Sequence, residues 1–115
     1  MNSEHFYKCL ANETRLRCVM LLLARPQICV CDIADALKLS QPMISRHLAQ
    51  LRTCNLLSDQ RDGQWVYYRL HHELKAWQFN VLKATQAGVA TEQPFAADLL
   101  RLAEIEQQKT GSDCC

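Results

Sequence analysis

Two cysteines separated by one residue, Cys29 and Cys31, stand directly before Asp32 in the stretch ICVCDIADAL. Thiolates are soft ligands, and two of them this close in the sequence suit a soft metal or metalloid ion. On a regular helix, residues i and i+2 point in different directions. One ion can therefore bind both sulfurs only if the backbone around them is extended or unwound. The pair stands where a helix is predicted to begin.

Seven cysteines are a high number for a chain of 115 residues, and they occupy positions 9, 18, 29, 31, 54, 114 and 115. An odd number of thiols without an export leader argues against a disulfide scaffold, because the cytosol keeps thiols reduced. Cys18 lies inside an apolar run, so we expect a small buried hydrophobic side chain there, and we expect the same of Cys9. Burial explains the pairs Cys29–Cys31 and Cys114–Cys115 less well.

The composition indicates one cytoplasmic domain. Apolar residues make up 49% of the chain and the net charge is +1, so total charge alone does not indicate a nucleic-acid partner. No apolar run approaches the roughly 20 residues that span a bilayer. The first ten residues lack the basic and then apolar pattern of an export leader. We therefore expect no membrane partner, a single domain over 1–109, and a flexible cysteine-containing tail over 110–115.

The order of the predicted elements is typical of a winged helix-turn-helix protein. A short helix, a tight turn and a second helix are followed by a hairpin, for which Asp62-Gly63 is the turn signal. The fold is therefore predicted to be mainly α with a small β-hairpin and further helices at both ends. Helical or strand-like periodicity places helices at 4–10, 12–25, 31–40 (of which 38–40 form the tight connection), 41–55 and 71–88 and a last helix from 93, with the hairpin at 56–70.

The second helix of this motif has one apolar stripe, Ile44, Leu48 and Leu51, and polar residues on the rest of its surface. Such a helix can pack by its stripe and enter a DNA major groove by its outer face. Its basic and amide side chains can donate to phosphates and base edges, and a basic residue at the hairpin tip can reach the flanking backbone. The predicted DNA-binding residues are Ser40, Gln41, Ser45, Arg46, His47, Gln50, Arg52 and Arg61.

Four segments together resemble the ArsR/SmtB family of metal-responsive repressors, and most closely its arsenic-sensing branch: LANETRLRCVMLLL, ICVCDIADAL, LSQPMISRHLAQLR and GQWVYYRL. The resemblance implies a homodimer that binds operator DNA and is released by trivalent arsenic or antimony. It also implies that the first and last helices form the dimer interface. Apolar residues available for that interface, or for the core, are Phe6, Leu10, Leu74, Trp77, Phe79, Val81 and Leu82.

The chain departs from that branch at one ligand. The branch carries a CVCDLC-type motif whose three thiolates hold one As(III), and here Ala34 stands at the third position. The resemblance therefore implies a site with Cys29 and Cys31 and a third sulfur from elsewhere. We favour Cys115 or Cys114 in the tail, with Cys54 and Cys9 as weaker alternatives.

Other functional classes stay open to different degrees. The cysteines also suit a regulator switched by thiol oxidation, and relatives that sense zinc or cadmium are known in the family. Zinc prefers four ligands, and no histidine lies close in sequence to Cys29, so this alternative is disfavoured. The sequence has no glycine-rich phosphate loop and no paired acid–base set, so we expect neither an enzyme nor a catalytic cofactor.

Overall fold

The computed structural model describes residues 2–109, which form six α-helices and three short β-strands. The predicted tail over 110–115, with Cys114 and Cys115, lies outside the described residues. No helix in the described part is long and apolar enough to cross a membrane. The elements are α1 (Ser3–Leu10), α2 (Glu13–Ala24), β1 (Ile28–Cys29), α3 (Val30–Leu37), α4 (Gln41–Thr53), β2 (Leu57–Asp62), β3 (Trp65–Leu70), α5 (Ala76–Val89) and α6 (Phe95–Gln108).

Side-chain caps and left-handed residues define the helix ends. The Asn12 side chain accepts a hydrogen bond from the Arg15 N–H at the start of α2, as its sequence position predicts. Ser40 caps α4 in the same way. Lys38, with φ 57°, ends α3, and Asn55, with φ 61°, follows α4. These ends make the turn between α3 and α4 tight.

The core lies between α2 and the two helices of the DNA-binding motif. The predicted stripe of α4 is confirmed, because Ile44, Leu48 and Leu51 are all fully buried. Their partners include the apolar residues of α2 and the inward face of α3, where Ile33 and Leu37 are buried. Burial of these apolar side chains in one core fixes the position of α4 against α2 and α3.

The sheet differs from the predicted hairpin by one strand. Strands β2 and β3 form the expected antiparallel pair, joined after the Asp62↔Trp65 pair by a two-residue loop in which Gly63 has φ +63°. β1 adds to the other edge of β3, so the order is β1-β3-β2 and Cys29 pairs with Tyr67. Two residues are too short a segment for periodicity to reveal a strand.

The prediction that the helix after the wing begins near His71 is wrong, because α5 begins at Ala76. The His71 N–H donates to the carbonyl of Leu56 at 2.9 Å, which continues the strand-end pairing rather than a helix. The Lys75 N–H donates to the Gln78 side chain at 2.9 Å, and this bond caps the true start of α5. The predicted start of the last helix next to Pro94 is confirmed.

The last helix is joined to α2 and α3 through a buried carboxylate. Asp98 is 1% exposed and accepts hydrogen bonds from both Arg17, at 2.7 and 2.8 Å, and Arg101, at 2.8 Å. Each guanidinium also donates to a carbonyl at the end of α3: Arg17 to Leu37 at 3.0 Å and Arg101 to Ala36 at 2.6 Å. Asp98 therefore fixes the C-terminal end of α3, which leads into α4. This second helix of the motif, predicted to enter the DNA major groove, is the recognition helix.

We expect Asp98→Ala to lower the free energy of unfolding by about 3–5 kcal/mol, because two partly buried guanidiniums lose their counter-charge. The matched control on the same helix is Glu106→Ala, which removes a more exposed ion pair with Arg25. That variant should lose about 1 kcal/mol or less. Urea denaturation of the two variants measures the difference, and equal losses would contradict a special role for Asp98.

Candidate DNA interface and thiol site

The two cysteines of the motif lie at the junction of a strand and a helix. Cys29 ends β1 and is the N-cap of α3, with an extended backbone (φ −78°, ψ 155°) and a buried side chain. Cys31 is the second residue of α3 and is half-buried. The backbone on the Cys29 side is therefore already extended. Cys29 and Cys31 are both disulfide-bonded in this structure, so both must be reduced, and the first turn of α3 must change, before their sulfurs bind one ion.

The end of α6 brings a cation to this junction. Lys109 Nζ lies 2.6 Å from Asp32 Oδ2 and 3.9 Å from Cys29 Sγ. Burial raises the pKa of Asp32, and the hydrogen bond and charge of Lys109 act in the opposite direction. Sequence reasoning missed Lys109, because 80 residues separate it from Cys29.

The second sulfur is in contact with the recognition helix. Cys31 Sγ lies 3.5 Å from Oε1 of Gln41, the first residue of α4. Gln41 was predicted to bind DNA from the sequence alone. The candidate thiol site and the candidate DNA interface are therefore adjacent, and one contact joins them directly.

The predicted DNA-binding residues divide into a group at the start of α4 and the hairpin tip and a group of surface side chains that bond to other parts of the protein. Gln41 and Arg46 are exposed and Ser45 is half-buried, all in the first half of α4. Arg61 is exposed near the tip of the hairpin. These four residues are available to a ligand as the sequence predicted.

The other predicted DNA-binding residues fix the helix in place. Gln50 accepts a hydrogen bond from Arg15 Nη1 at 3.0 Å. On the other side of α4, Arg52 Nη1 lies 2.8 Å from Asp59 Oδ2 of β2. Ser40 is the N-cap already described. The structure gives Gln50 and Arg52 a positioning role that sequence reasoning did not assign.

His47 is half-buried on α4, and its contact with DNA stays a prediction. Its Nδ1 atom is buried and has no hydrogen-bond partner among the described residues. Burial, followed by the charges of Arg15 and Arg46, lowers the pKa of His47 below its ordinary value. The imidazole is therefore neutral near pH 7, and its side chain lies between the buried stripe and the exposed face of α4.

The remaining described cysteines lie outside the motif. Cys18 is fully buried, and burial raises the pKa of its thiol to about 12, so the predicted role as a small hydrophobic side chain is confirmed. Cys9 is also buried, but the expectation of a reduced, purely hydrophobic thiol is wrong, because Cys9 forms a disulfide with Cys54. The pairing of α1 with the end of α4 spans 45 residues and was not visible in sequence. It joins the two weaker third-ligand candidates to each other.

Comparison with known proteins identifies the family. The family described as bacterial regulatory protein, arsR family, matches residues 12–59. Over 109 residues, which cover 95% of this chain and 84% of that protein, the chain is 46% identical to the arsenic resistance transcriptional regulator ArsR1 of Pseudomonas putida strain KT2440. The chain belongs to the ArsR family. The resemblance predicted from the four sequence segments is therefore confirmed.

Further relatives agree with this ArsR assignment. The arsenical resistance operon repressor of Escherichia coli K12 is 50% identical over 76 residues, which cover 66% of this chain and 65% of that protein. The structure of HlyU from Vibrio cholerae N16961 superimposes with a TM-score of 0.69 at 27% identity, covering 77% of this chain and 92% of that one. The predicted winged helix-turn-helix fold is confirmed, and the relatives are regulators of transcription.

The lowered pKa of His47 predicts a pH-dependent stability. Below about pH 6.5 the unfolded chain takes up a proton at His47 that the folded chain does not. The free energy of unfolding therefore decreases as the pH is lowered, until the pKa of folded His47 is reached. One group contributes at most about 1.4 kcal/mol per pH unit. Urea denaturation between about pH 7.5 and 5 should give a shallower pH slope for His47→Gln than for the unaltered protein. Identical slopes would contradict the burial of a neutral imidazole.

Proposed function

We propose that this ArsR-family protein represses an arsenic-resistance operon and leaves its operator DNA when trivalent arsenic, or antimony, binds Cys29 and Cys31. The observation that carries the proposal is the position of the two sulfurs. One lies at the N-cap of α3, and the other lies 3.5 Å from the first residue of the recognition helix. The names of the Pseudomonas and Escherichia relatives support arsenic as the signal.

Two of the three ligand positions of the family motif hold cysteine in this chain, and cysteine suits a soft metalloid. Cys29 and Cys31 supply two thiolates, the donors that trivalent arsenic prefers. The third position of the family motif is Ala34, a buried methyl group that cannot ligate. The third sulfur in this proposal comes from Cys114 or Cys115, which lie outside the described residues. Lys109 Nζ lies 3.9 Å from Cys29 Sγ and places a positive charge beside this end of the site.

The effect on DNA follows from what the two cysteines hold before the ligand binds. Cys31 leaves its contact with Gln41 when its sulfur turns toward the ligand shared with Cys29. Cys29 is paired with Tyr67 of β3, so a shift of its backbone also disturbs the base of the wing. Both changes move elements that position α4, and neither requires the core to unfold.

The DNA-binding face in this proposal is the first half of α4 together with the hairpin tip. Gln41, Ser45 and Arg46 meet the major groove, and Arg61 meets the backbone beside it. Gln50 and Arg52 keep the helix at a fixed angle through Arg15 and Asp59.

The proposed assembly is a homodimer, with α1 and α5 at its interface. Trp77 and Phe79 of α5 are 40% and 41% exposed, and Tyr7 of α1 is 51% exposed. Trp77 and Tyr7 both lie against the ring of Phe6, so these two exposed aromatic side chains form one surface. Phe6 and Leu82, from the predicted set, are fully buried within the protomer and belong to the core. A cytoplasmic location completes the proposal, because the site needs reduced thiols.

We expect arsenite to weaken operator binding by about 5- to 150-fold under a phosphine reductant, the usual range of coupling between two sites. In the variant with both Cys29→Ser and Cys31→Ser, DNA affinity should no longer respond to arsenite. The matched control, Cys18→Ala, removes a buried thiol that stays protonated and should respond like the unaltered protein. Fluorescence anisotropy with the DNA upstream of the gene measures all three.

Two results of that experiment would contradict the proposal. The first is release of the double serine variant by arsenite, which would place the sensing sulfurs elsewhere. The second is release of the unaltered protein by peroxide alone with no response to arsenite, which would favour the thiol-oxidation alternative.

We expect Arg46→Ala to weaken operator binding by about 1–3 kcal/mol and to reduce its salt dependence if the contact is to phosphate. Arg46 is exposed on α4 and makes none of the side-chain bonds that fix this helix. Arg25→Ala at the end of α2 removes an equal charge outside α4, the hairpin tip and the proposed dimer interface, and it should change affinity little. Anisotropy titrations at several salt concentrations measure both, and equal effects of the two substitutions would contradict the assignment of α4.

A further inference from the structure

A second group of side chains that can bind a metal ion lies where α1 meets the end of α4. His5 and Cys9 are four residues apart on α1, so they lie on the same face of that helix. Cys54 is the C-cap of α4. The two sulfurs and one imidazole nitrogen all lie within 4.8 Å of one another. No other three His, Cys, Asp or Glu side chains in the range 2–109 come together in this way.

The ligand atoms of a tetrahedral ion are separated by less than the 4.8 Å that encloses these three atoms. Metal–sulfur distances of about 2.3 Å and metal–nitrogen distances of about 2.1 Å place ligand atoms roughly 3.5–3.8 Å apart. The Cα atoms of Cys9 and Cys54 are 6.7 Å apart, which leaves room for an ion once the disulfide is reduced. A phosphine converts the disulfide and one water molecule into two thiols and the phosphine oxide. Binding a divalent ion then releases the two thiol protons.

The surroundings allow an ion to enter and leave. The three side chains line an open pocket of about 460 Å³ on the protein surface. Two cations also line this pocket, but Lys8 is paired with Glu4 at 2.9 Å, and the Arg15 guanidinium donates to the carbonyls of Cys9 and Lys8. Two thiolates balance the charge of one divalent ion, so the site needs no further acid.

We propose that the reduced form binds one divalent d¹⁰ ion of the Zn²⁺ or Cd²⁺ type through His5, Cys9 and Cys54, with the fourth position open to solvent. The mixed nitrogen and sulfur donors favour this class of ion over a trivalent metalloid, which prefers sulfur. The bound ion ties α1 to the end of the recognition helix, beside the Arg15–Gln50 hydrogen bond. The site is separate from Cys29 and Cys31 and does not depend on arsenic sensing.

The experiment uses the full-length chain with serine at 29, 31, 114 and 115, so that Cys9, Cys18 and Cys54 remain. Under a phosphine reductant, we expect one Zn²⁺ per chain by titration against a chromophoric chelator. Co²⁺ should give intense tetrahedral bands and a thiolate-to-metal charge-transfer band. Adding Cys54→Ser should abolish the charge-transfer band of the two-sulfur site, and His5→Ala should weaken Zn²⁺ affinity at least about tenfold.

The control for His5→Ala is His72→Ala, which removes another exposed imidazole and should leave Zn²⁺ affinity unchanged. His5→Ala in the otherwise unaltered chain repeats the test without the serine substitutions, and circular dichroism checks that each variant folds. Two results would overturn the proposal. One is no Zn²⁺ uptake after reduction, which would leave the pair as a disulfide only. The other is one bound Zn²⁺ that survives loss of both Cys9 and Cys54.

Discussion

The arrangement of the DNA-binding motif depends on one buried carboxylate, Asp98. The side chain of Asp98 is 2% exposed, and a buried charge is tolerated only when it is paired. Here Arg17 and Arg101 both bind it. The same two guanidiniums donate to the last carbonyls of α3. One ionic interaction therefore joins α2, α3 and α6, and it also satisfies backbone acceptors that a helix end leaves open.

The other end of α3 is held by the same helix. Lys109, at the end of α6, lies against Asp32 and close to Cys29. The short helix is therefore fixed by α6 at both of its ends, and its apolar face is buried in the common core. Such a helix has little freedom to absorb a local change. In the proposed mechanism, a displacement of its first turn is passed to Gln41 of α4 through the contact of Cys31.

The parts of the structure that sequence predicted are those set by local chemistry. The stripe of α4, the Asn12 and Ser40 caps and the Asp62-Gly63 turn each depend on residues a few positions apart. The parts that it missed join distant segments: Asp98 is 81 residues from Arg17, and Cys9 is 45 from Cys54. The short pairing of β1 with β3 belongs to the same group. For the candidate site, the sequence therefore predicted the two sulfurs and the polar face of α4. It did not predict Lys109 or the contacts of Gln50 with Arg15 and of Arg52 with Asp59.

The contacts of Gln50 and Arg52 with Arg15 and Asp59 bear on how a small change at the other end of α4 would weaken DNA binding in the proposed mechanism. Arg15 holds one side of the helix through Gln50, and Asp59 holds the other through Arg52, both near its C-terminal end. The end of α4 that carries Gln41, Ser45 and Arg46 is the end beside the thiol site. In the proposed mechanism, movement at this end displaces the side chains proposed to meet bases. In a dimer the two helices must match half-sites one turn of DNA apart, so the same displacement in both protomers lowers affinity twice.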